Sequence, residues 1–249
     1  MELSKRLQAV ADMVTPGNRV ADVGCDHGFV SIYLYRQGIA PKVYAMDVRK
    51  GPLAHAKEHI EGYGLSSYIE TRLSDGVKAL KTGEADTLIC AGMGGRLMVK
   101  IISEGMEKVS RMQELILQPQ SELAFFREFL RTQGFLIVQE KLVKEEGKYY
   151  PMMRVIPAQS MQKTCGEQTD KRSDEEAQAW QRRADMFGPC LLKERHPVLR
   201  EYLLMLQERN ERILAGLSLS GAKERREELS LEQEDIRQCL TLFSEDACD

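Results

Sequence analysis

The chain has 249 residues, 43% of them apolar, with a formal net charge of −3 and a pI near 5.9. That composition suits a chain that buries a real core, and it lacks the global positive charge that by itself marks a nucleic-acid partner, though a local basic surface is compatible with it. No apolar run is long enough to span a membrane, and Cys25, Cys90, Cys165, Cys190, Cys239 and Cys248 show no C-x-x-C spacing, so a reduced, cytoplasmic chain without a metal site is expected.

The N-terminal MELSKRLQAVADMV has an amphipathic helix pattern rather than that of a signal peptide. From Arg19 to about Pro157, strand and helix patterns alternate. Strands are expected at Arg19–Gly24, Lys42–Val48, Tyr68–Leu73, Ala85–Ala91 and Glu114–Leu117. Helices are expected at Phe29–Gln37, Gly51–Glu61 (with Pro52 in its first turn), Gly95–Glu104 and Ser121–Gln133. Phe135–Lys144 and Tyr149–Ile156 read as a closing hairpin. This alternation predicts an α/β domain, a parallel sheet covered on both faces with an antiparallel finish.

The character changes after Pro157. A polar stretch leads to a helical region from about Ser173 to the end. Leu199, Leu203, Leu206, Asn210, Ile213 and Leu217 follow a coiled-coil seam, and Leu229, Ile236, Leu240 and Phe243 line a second helix. A helical hairpin domain over 158–249 is expected, its exposed tip at Ser218–Glu228. This region has 14 Lys or Arg against 19 Asp or Glu, but the cations cluster, most notably at Lys223, Arg225 and Arg226.

Doubly wound sheets bind ligands at the carboxyl ends of their strands. There the first strand ends in Gly24-Cys25-Asp26-His27-Gly28, the second in Asp47-Val48, and the third in Ser74-Asp75-Gly76. An acid ending the second strand accepts ribose hydroxyls, which points to a nucleoside cofactor. A dinucleotide wants G-x-G-x-x-G for its pyrophosphate, and a carboxylate such as Asp26 would repel that group. Asp22 and Asp26 instead suit the ammonium and sulfonium of S-adenosylmethionine; Asp75 suits the adenine amino group. The competing reading makes Asp22 and Asp26 mere turn and helix caps.

The fourth strand ends in Ala91-Gly92-Met93-Gly94-Gly95, where glycines admit a flat ligand but supply neither acid nor base. Adenine N1 needs neither, because its in-plane lone pair is free, and the enzyme then has mainly to position and desolvate. DVGCDHG, YAMDV, SDG, CAGMGG and LILQPQ, followed by EGKYY, resemble the bacterial tRNA (adenine-22-N1)-methyltransferase family. The similarity covers about residues 1–157 strongly and the helical tail in character. It implies a class I, Rossmann-like methyltransferase fold, S-adenosylmethionine as donor, an adenine of the tRNA D-loop as acceptor, and a tail that grips tRNA.

On that basis Asp22, Gly24, Asp26, Gly28, Asp47, Val48, Ser74, Asp75, Gly76, Ala91, Gly92 and Met93 are assigned to the cofactor. Asp26, His27, Gly94 and Gln118 are assigned to catalysis. Gly94, Gly95, Gln118, Pro119, Gln120 and Tyr150, with Lys223, Arg225 and Arg226, are assigned to the substrate. His27 reads equally as a surface turn residue, Tyr150 as sheet packing, and the basic tail as a solvated face or a dimer surface. His55 and His59 stand one helical turn apart without an acidic or cysteine partner and read as a solvated face. Cys25 and Cys90 read as small pocket-lining residues rather than nucleophiles. A monomer is slightly favoured. The competing functions are methyl transfer to another substrate and a non-catalytic RNA-binding protein.

Overall fold

The computed structural model describes residues 2–158, 173–217 and 223–244. The chain forms two compact units, residues 1–169 and 170–249. Most of the expected polar linker, and residues 218–222 of the expected tip, lie outside the described residues.

The first unit opens with α1 (Lys5–Ala11), capped by the Ser4 side chain. It continues through β1 (Val20–Val23), α2 (Phe29–Arg36), β2 (Val43–Asp47), α3 (Lys50–Gly62), β3 (Ile69–Leu73), β4 (Thr87–Met93), α4 (Gly95–Glu104), α5 (Met106–Val109), β5 (Glu114–Pro119), α6 (Leu123–Thr132), β6 (Phe135–Glu145) and β7 (Lys148–Pro157). The seven strands lie in the order β3-β2-β1-β4-β5-β7-β6. The first five are mutually parallel, and β7 runs antiparallel to both β5 and β6. Strand order reverses at β1, which opens a crevice above the carboxyl ends of β1, β2 and β4.

Period-two alternation builds two cores. Leu88, Cys90, Leu115 and Leu117 face Met98, Ile102, Phe126 and Leu130 of α4 and α6. Ile89 and Ile116, between them in sequence, face the opposite side with Val10, Ile32, Leu34, Ala56 and Ile60 of α1, α2 and α3. Both faces are covered, so β1, β2 and β5 are buried without interruption. Each fully buried Leu or Ile contributes roughly 1.5–3 kcal/mol.

Two local features differ from expectation. β4 extends to Met93 and carries a bulge: Ala91 pairs with Gln118 and Met93 with Pro119, which leaves Gly92 unpaired at φ 77°. α6 starts two residues later than predicted. Glu122 precedes it at φ 56° and makes no side-chain cap; its carboxylate pairs with Arg96 instead. Below the sheet's helical cover, Arg127 and Glu140 form an ion pair at 2.9 Å, both side chains 1% exposed.

The second unit contains α7 (Asp174–Phe187), α8 (Pro189–Lys193), α9 (Pro197–Gly216) and α10 (Lys223–Thr241). A Ser173–Glu176 capping box starts α7. Arg209 meets Glu232, Gln233 meets Glu211, and Arg226 meets the Leu214 and Leu217 carbonyls; falling numbers on α9 against rising numbers on α10 make the pair antiparallel. The predicted seam is buried at Leu199, Leu203, Leu206 and Asn210 but ends there, since Ile213 is 38% exposed. On α10, Leu229 and Ile236 are buried as predicted; Leu240, and Phe243 just past the helix end, are only half-buried, while Gln233, Asp235 and Cys239 are buried. Asp235 is buried because Arg182 of α7 forks onto it at 2.7 and 2.8 Å.

Candidate active site

The carboxyl ends of β1, β2, β3 and β4, with the residue after β5, enclose a cavity of about 470 Å³. That is the size of a cofactor site. Asp22 is buried in its floor, and the Ser31 hydroxyl donates to its Oδ2 at 2.6 Å. Burial pushes the Asp22 pKa up to about 6; the Ser31 hydrogen bond opposes the rise and the nearby Asp47 charge adds to it. Asp47 ends β2, buried, with Oδ1 accepting the Arg49 N–H at 2.8 Å and Oδ2 left without a hydrogen bond among the described residues. Asp75 is exposed on the same rim, and its pairing with Lys78 holds its carboxyl below the usual range.

The β1–α2 turn is tight. Gly24 has φ 76°, and a Cβ there would fall 2.2 Å from the Met93 methyl carbon, so only glycine lets the Met93 side chain lie across it. Gly28, before α2, packs on Ala56. Between them Asp26 adopts φ 51° with its carboxylate exposed, and His27 Nε2 lies 3.8 Å from it. His27 also stacks on Phe29, and its carbonyl is 3.0 Å from His59 Nδ1. Cys25 lines the cavity too, but burial pushes its thiol pKa up, as it does for the fully buried Cys90 below the surface, so neither is a ready thiolate. Among the described residues no three His, Cys, Asp or Glu are grouped to hold a metal.

A carboxylate floor, an acid at the end of β2 with a free oxygen, and a glycine turn suit a cationic nucleoside. Residues 3–153 match the family model described as "Methyltransferase domain". A tRNA (adenine(22)-N(1))-methyltransferase of Bacillus subtilis (strain 168) is 37% identical over 153 residues, 61% of this chain and 64% of that protein. The solved Streptococcus pneumoniae protein Sp1610, in complex with S-adenosyl-L-methionine, is 31% identical with a TM-score of 0.80, over 96% of this chain and 100% of that one. The Bacillus subtilis M1A22 tRNA methyltransferase structure is 29% identical with a TM-score of 0.80, over 96% and 99%.

The chain belongs to the tRNA (adenine-22-N1)-methyltransferase family.

It spans 64% of the length of the curated Bacillus relative. Within the family site, all twelve residues expected to hold the cofactor fall on the cavity wall except Gly28, which lies behind it against Ala56. Ser74 is on the wall but turned to its own loop, donating to the Gly76 carbonyl at 2.7 Å. Among the residues assigned to catalysis, Asp26 and His27 face the cavity, whereas Gly94 and Gln118 do not. Gln118 is fully buried. Its Oε1 accepts from Arg6 Nη1 at 3.0 Å and from the Gly92 N–H at 3.1 Å, and its Nε2 donates to the Pro119 carbonyl at 3.3 Å; buried off the cavity wall, the amide does not present an edge to a base there.

The expected substrate residues divide likewise. Gln120 lines the cavity, but Pro119 is buried. A side chain on Gly94 would meet Ser121 Oγ at 3.2 Å, and one on Gly95 the Ser121 carbonyl at 2.7 Å; both glycines serve the packing of α4 on the loop before α6. Of Gly92, Gly94 and Gly95, the one that lines the cavity is the bulged Gly92. Tyr150 lies under the Arg6 guanidinium, 5.3 Å from its ring centre. In the second unit Lys223 and Arg225 are exposed but pair with Glu227 and Glu228, and Arg226 donates to the Leu217 carbonyl at 2.7 Å, capping the end of α9. Arg226 is therefore a structural residue rather than a free phosphate ligand. Sequence reasoning missed Arg6, Leu7, Arg49 and Leu97 on the cavity wall. Arg6 and Leu7 arrive from an N-terminal helix that carries no motif; only its amphipathic pattern placed it in the domain.

Proposed function

We propose that this chain transfers the methyl group of S-adenosylmethionine to N1 of adenine 22 in the D-loop of tRNA. The cavity carries this reading. Asp22, Asp47 and Asp75 stand at the ends of three adjacent parallel strands, where a cofactor with an ammonium, a ribose and an adenine amino group finds an acceptor for each. When bound, the cofactor supplies a methyl group on a sulfonium, which an in-plane nitrogen lone pair attacks in line.

The chain's own residues then have a positional task. Asp22 is ionised at neutral pH and opposes the cofactor's positive charge. Gly92, bulged and without a side chain, lets a flat base approach the end of β4, and Gln120 borders the same opening. The target adenine has to leave its stack to expose N1. N1 carries no proton to remove, so no side chain need act as general base; the Asp26 carboxylate on the rim favours the cationic product electrostatically, and His27 beside it helps to orient the base.

The helical unit holds tRNA in this reading. Lys223 and Arg225 support it, because surface cations with intrahelical carboxylate partners exchange them for phosphates at little cost. A tRNA substrate and this donor support a cytoplasmic location. No described helix is long and apolar enough to cross a membrane. Incubating the chain with labelled S-adenosylmethionine and tRNA, then separating the nucleosides, tests the proposal: label in 1-methyladenosine supports it, and label confined to protein, or to another nucleoside, refutes it.

A further inference from the structure

The cavity contains a cation that none of this chemistry uses. Arg6 stands in the first turn of α1, half-buried, on the cavity wall. Two neutral partners fix its guanidinium: Nη1 donates to Gln118 Oε1 at 3.0 Å, and the group lies 5.3 Å from the centre of the Tyr150 ring. Gln118 is itself buried and bonded to the Gly92 N–H and the Pro119 carbonyl. A Cβ on Gly92 would stand 3.5 Å from Arg6 Nη1, an ordinary contact, so the bare glycine leaves that side of the guanidinium uncovered at the end of β4.

Of the two arginines on the cavity wall, Arg6 is the one without a counter-charge among the described residues. Arg19, Arg72, Arg96 and Arg127 in the same unit each meet a carboxylate, and Arg49, also on the cavity wall, stands 3.7 Å from Asp47. Arg6 has no carboxylate within 4.0 Å among the described residues. An amide oxygen and an aromatic face orient a guanidinium without neutralising it. Partly desolvating such a cation is unfavourable unless an anion arrives, and its donor fork matches carboxylate and phosphate oxygens.

We propose that Arg6 is the oxyanion receptor of this cavity, a binding residue that takes a carboxylate or phosphate oxygen of a bound ligand, with Gln118 and Tyr150 as its positioning residues. The inference rests on reading the cavity as the shared site of cofactor and target nucleotide. That reading supplies two oxyanions of the same chemistry: the amino-acid carboxylate of the cofactor, which Asp22 and Asp47 repel, and a phosphate of the extruded nucleotide.

The test uses the whole chain and three variants, Arg6→Gln, Arg6→Lys and Gln118→Glu. S-Adenosylhomocysteine and decarboxylated S-adenosylmethionine are titrated by calorimetry; unmodified tRNA is titrated with S-adenosylhomocysteine saturating, over a range of salt. If the cofactor carboxylate is the ligand, Arg6→Gln weakens S-adenosylhomocysteine about 10- to 150-fold, the span of a charge-assisted hydrogen bond, but leaves the decarboxylated form unaffected. Gln118→Glu places an anion against the guanidinium and gives the same selective loss, and Arg6→Lys restores part of it. If a phosphate is the ligand, both cofactor titrations stay unchanged while Arg6→Gln weakens tRNA and lowers the salt slope by about one. Wild-type values for every ligand in Arg6→Gln, or equal loss for both cofactor forms with tRNA unaffected, overturn the proposal. Titrating both cofactor forms against the unaltered chain requires no variant to fold. A failure of that chain to bind S-adenosylhomocysteine at all is a separate result; it overturns the cofactor reading, and this inference with it.

Discussion

Asp22→Asn separates what the site costs the fold from what it gives the ligand. The carboxyl is buried in the cavity floor and titrates near 6 rather than 3.8. A folded-state pKa raised in this way means that the group's stabilising contribution is fully present below pH 3.8 and is lost as pH rises through about 6. The ionised form at neutral pH therefore costs about 3 kcal/mol, from 1.36 kcal/mol for each tenfold change in proton affinity. Asparagine keeps the shape and an oxygen for the Ser31 hydroxyl without the charge. Urea unfolding of the ligand-free protein should show Asp22→Asn more stable by about 1–3 kcal/mol at pH 8, with the difference vanishing by pH 4. Binding should move the other way. Wild-type affinity for S-adenosylhomocysteine, whose ammonium we propose the carboxylate meets, should fall as pH drops below about 6, up to tenfold per pH unit. The variant should bind weakly at every pH with that dependence removed. A variant that is less stable at pH 8, or that retains the wild-type pH dependence of binding, would refute this reasoning.

Asp47→Ala should weaken S-adenosylhomocysteine by about 10- to 150-fold in calorimetry, the value of a charge-assisted hydrogen bond to a ribose hydroxyl; unchanged affinity in a folded variant removes the ribose assignment. Gly92→Val should abolish turnover, because φ 77° disfavours a branched residue and its side chain would fill the space before Arg6 and Gln120, whereas Gly94→Ala, at φ −67° and facing Ser121, should retain most activity in the same assay. Glu140→Gln should destabilise the fold by about 3–5 kcal/mol in urea titrations, since it removes the negative charge from a buried ion pair. A single-turnover pH–rate profile should show no essential group near pH 7; a steep limb lost in His27→Ala would establish a general base instead.

Much of the first unit was legible because its strands are buried on both faces and its turns are punctuated by glycine. The β1 and β2 runs, Asp47 at a strand end and the Gly24–Gly28 turn depend on local pattern, and the fold places them where that pattern implies. Gln118 and Gly94 were misread for a shared reason. The sequence shows which residues follow a strand but not which way they point, and the fold buries the Gln118 side chain and sets Gly94 against Ser121. Arg6 was invisible because it reaches the site from more than a hundred residues before its partners Gln118 and Tyr150. In the helical unit, the seam beyond Asn210 failed because polar contacts, Arg182 on Asp235 and Arg226 on the α9 carbonyls, replace apolar ones. Heptad spacing carries no signal for such substitutions.

The most direct measurement compares two transcripts of one tRNA that differ only in having adenine or guanine at position 22. With purified chain and labelled S-adenosylmethionine, the adenine transcript should take up one methyl group per molecule, recovered as 1-methyladenosine, and the guanine transcript none. Equal labelling of the two, or labelling of neither by a folded chain that binds S-adenosylhomocysteine, would contradict the assignment.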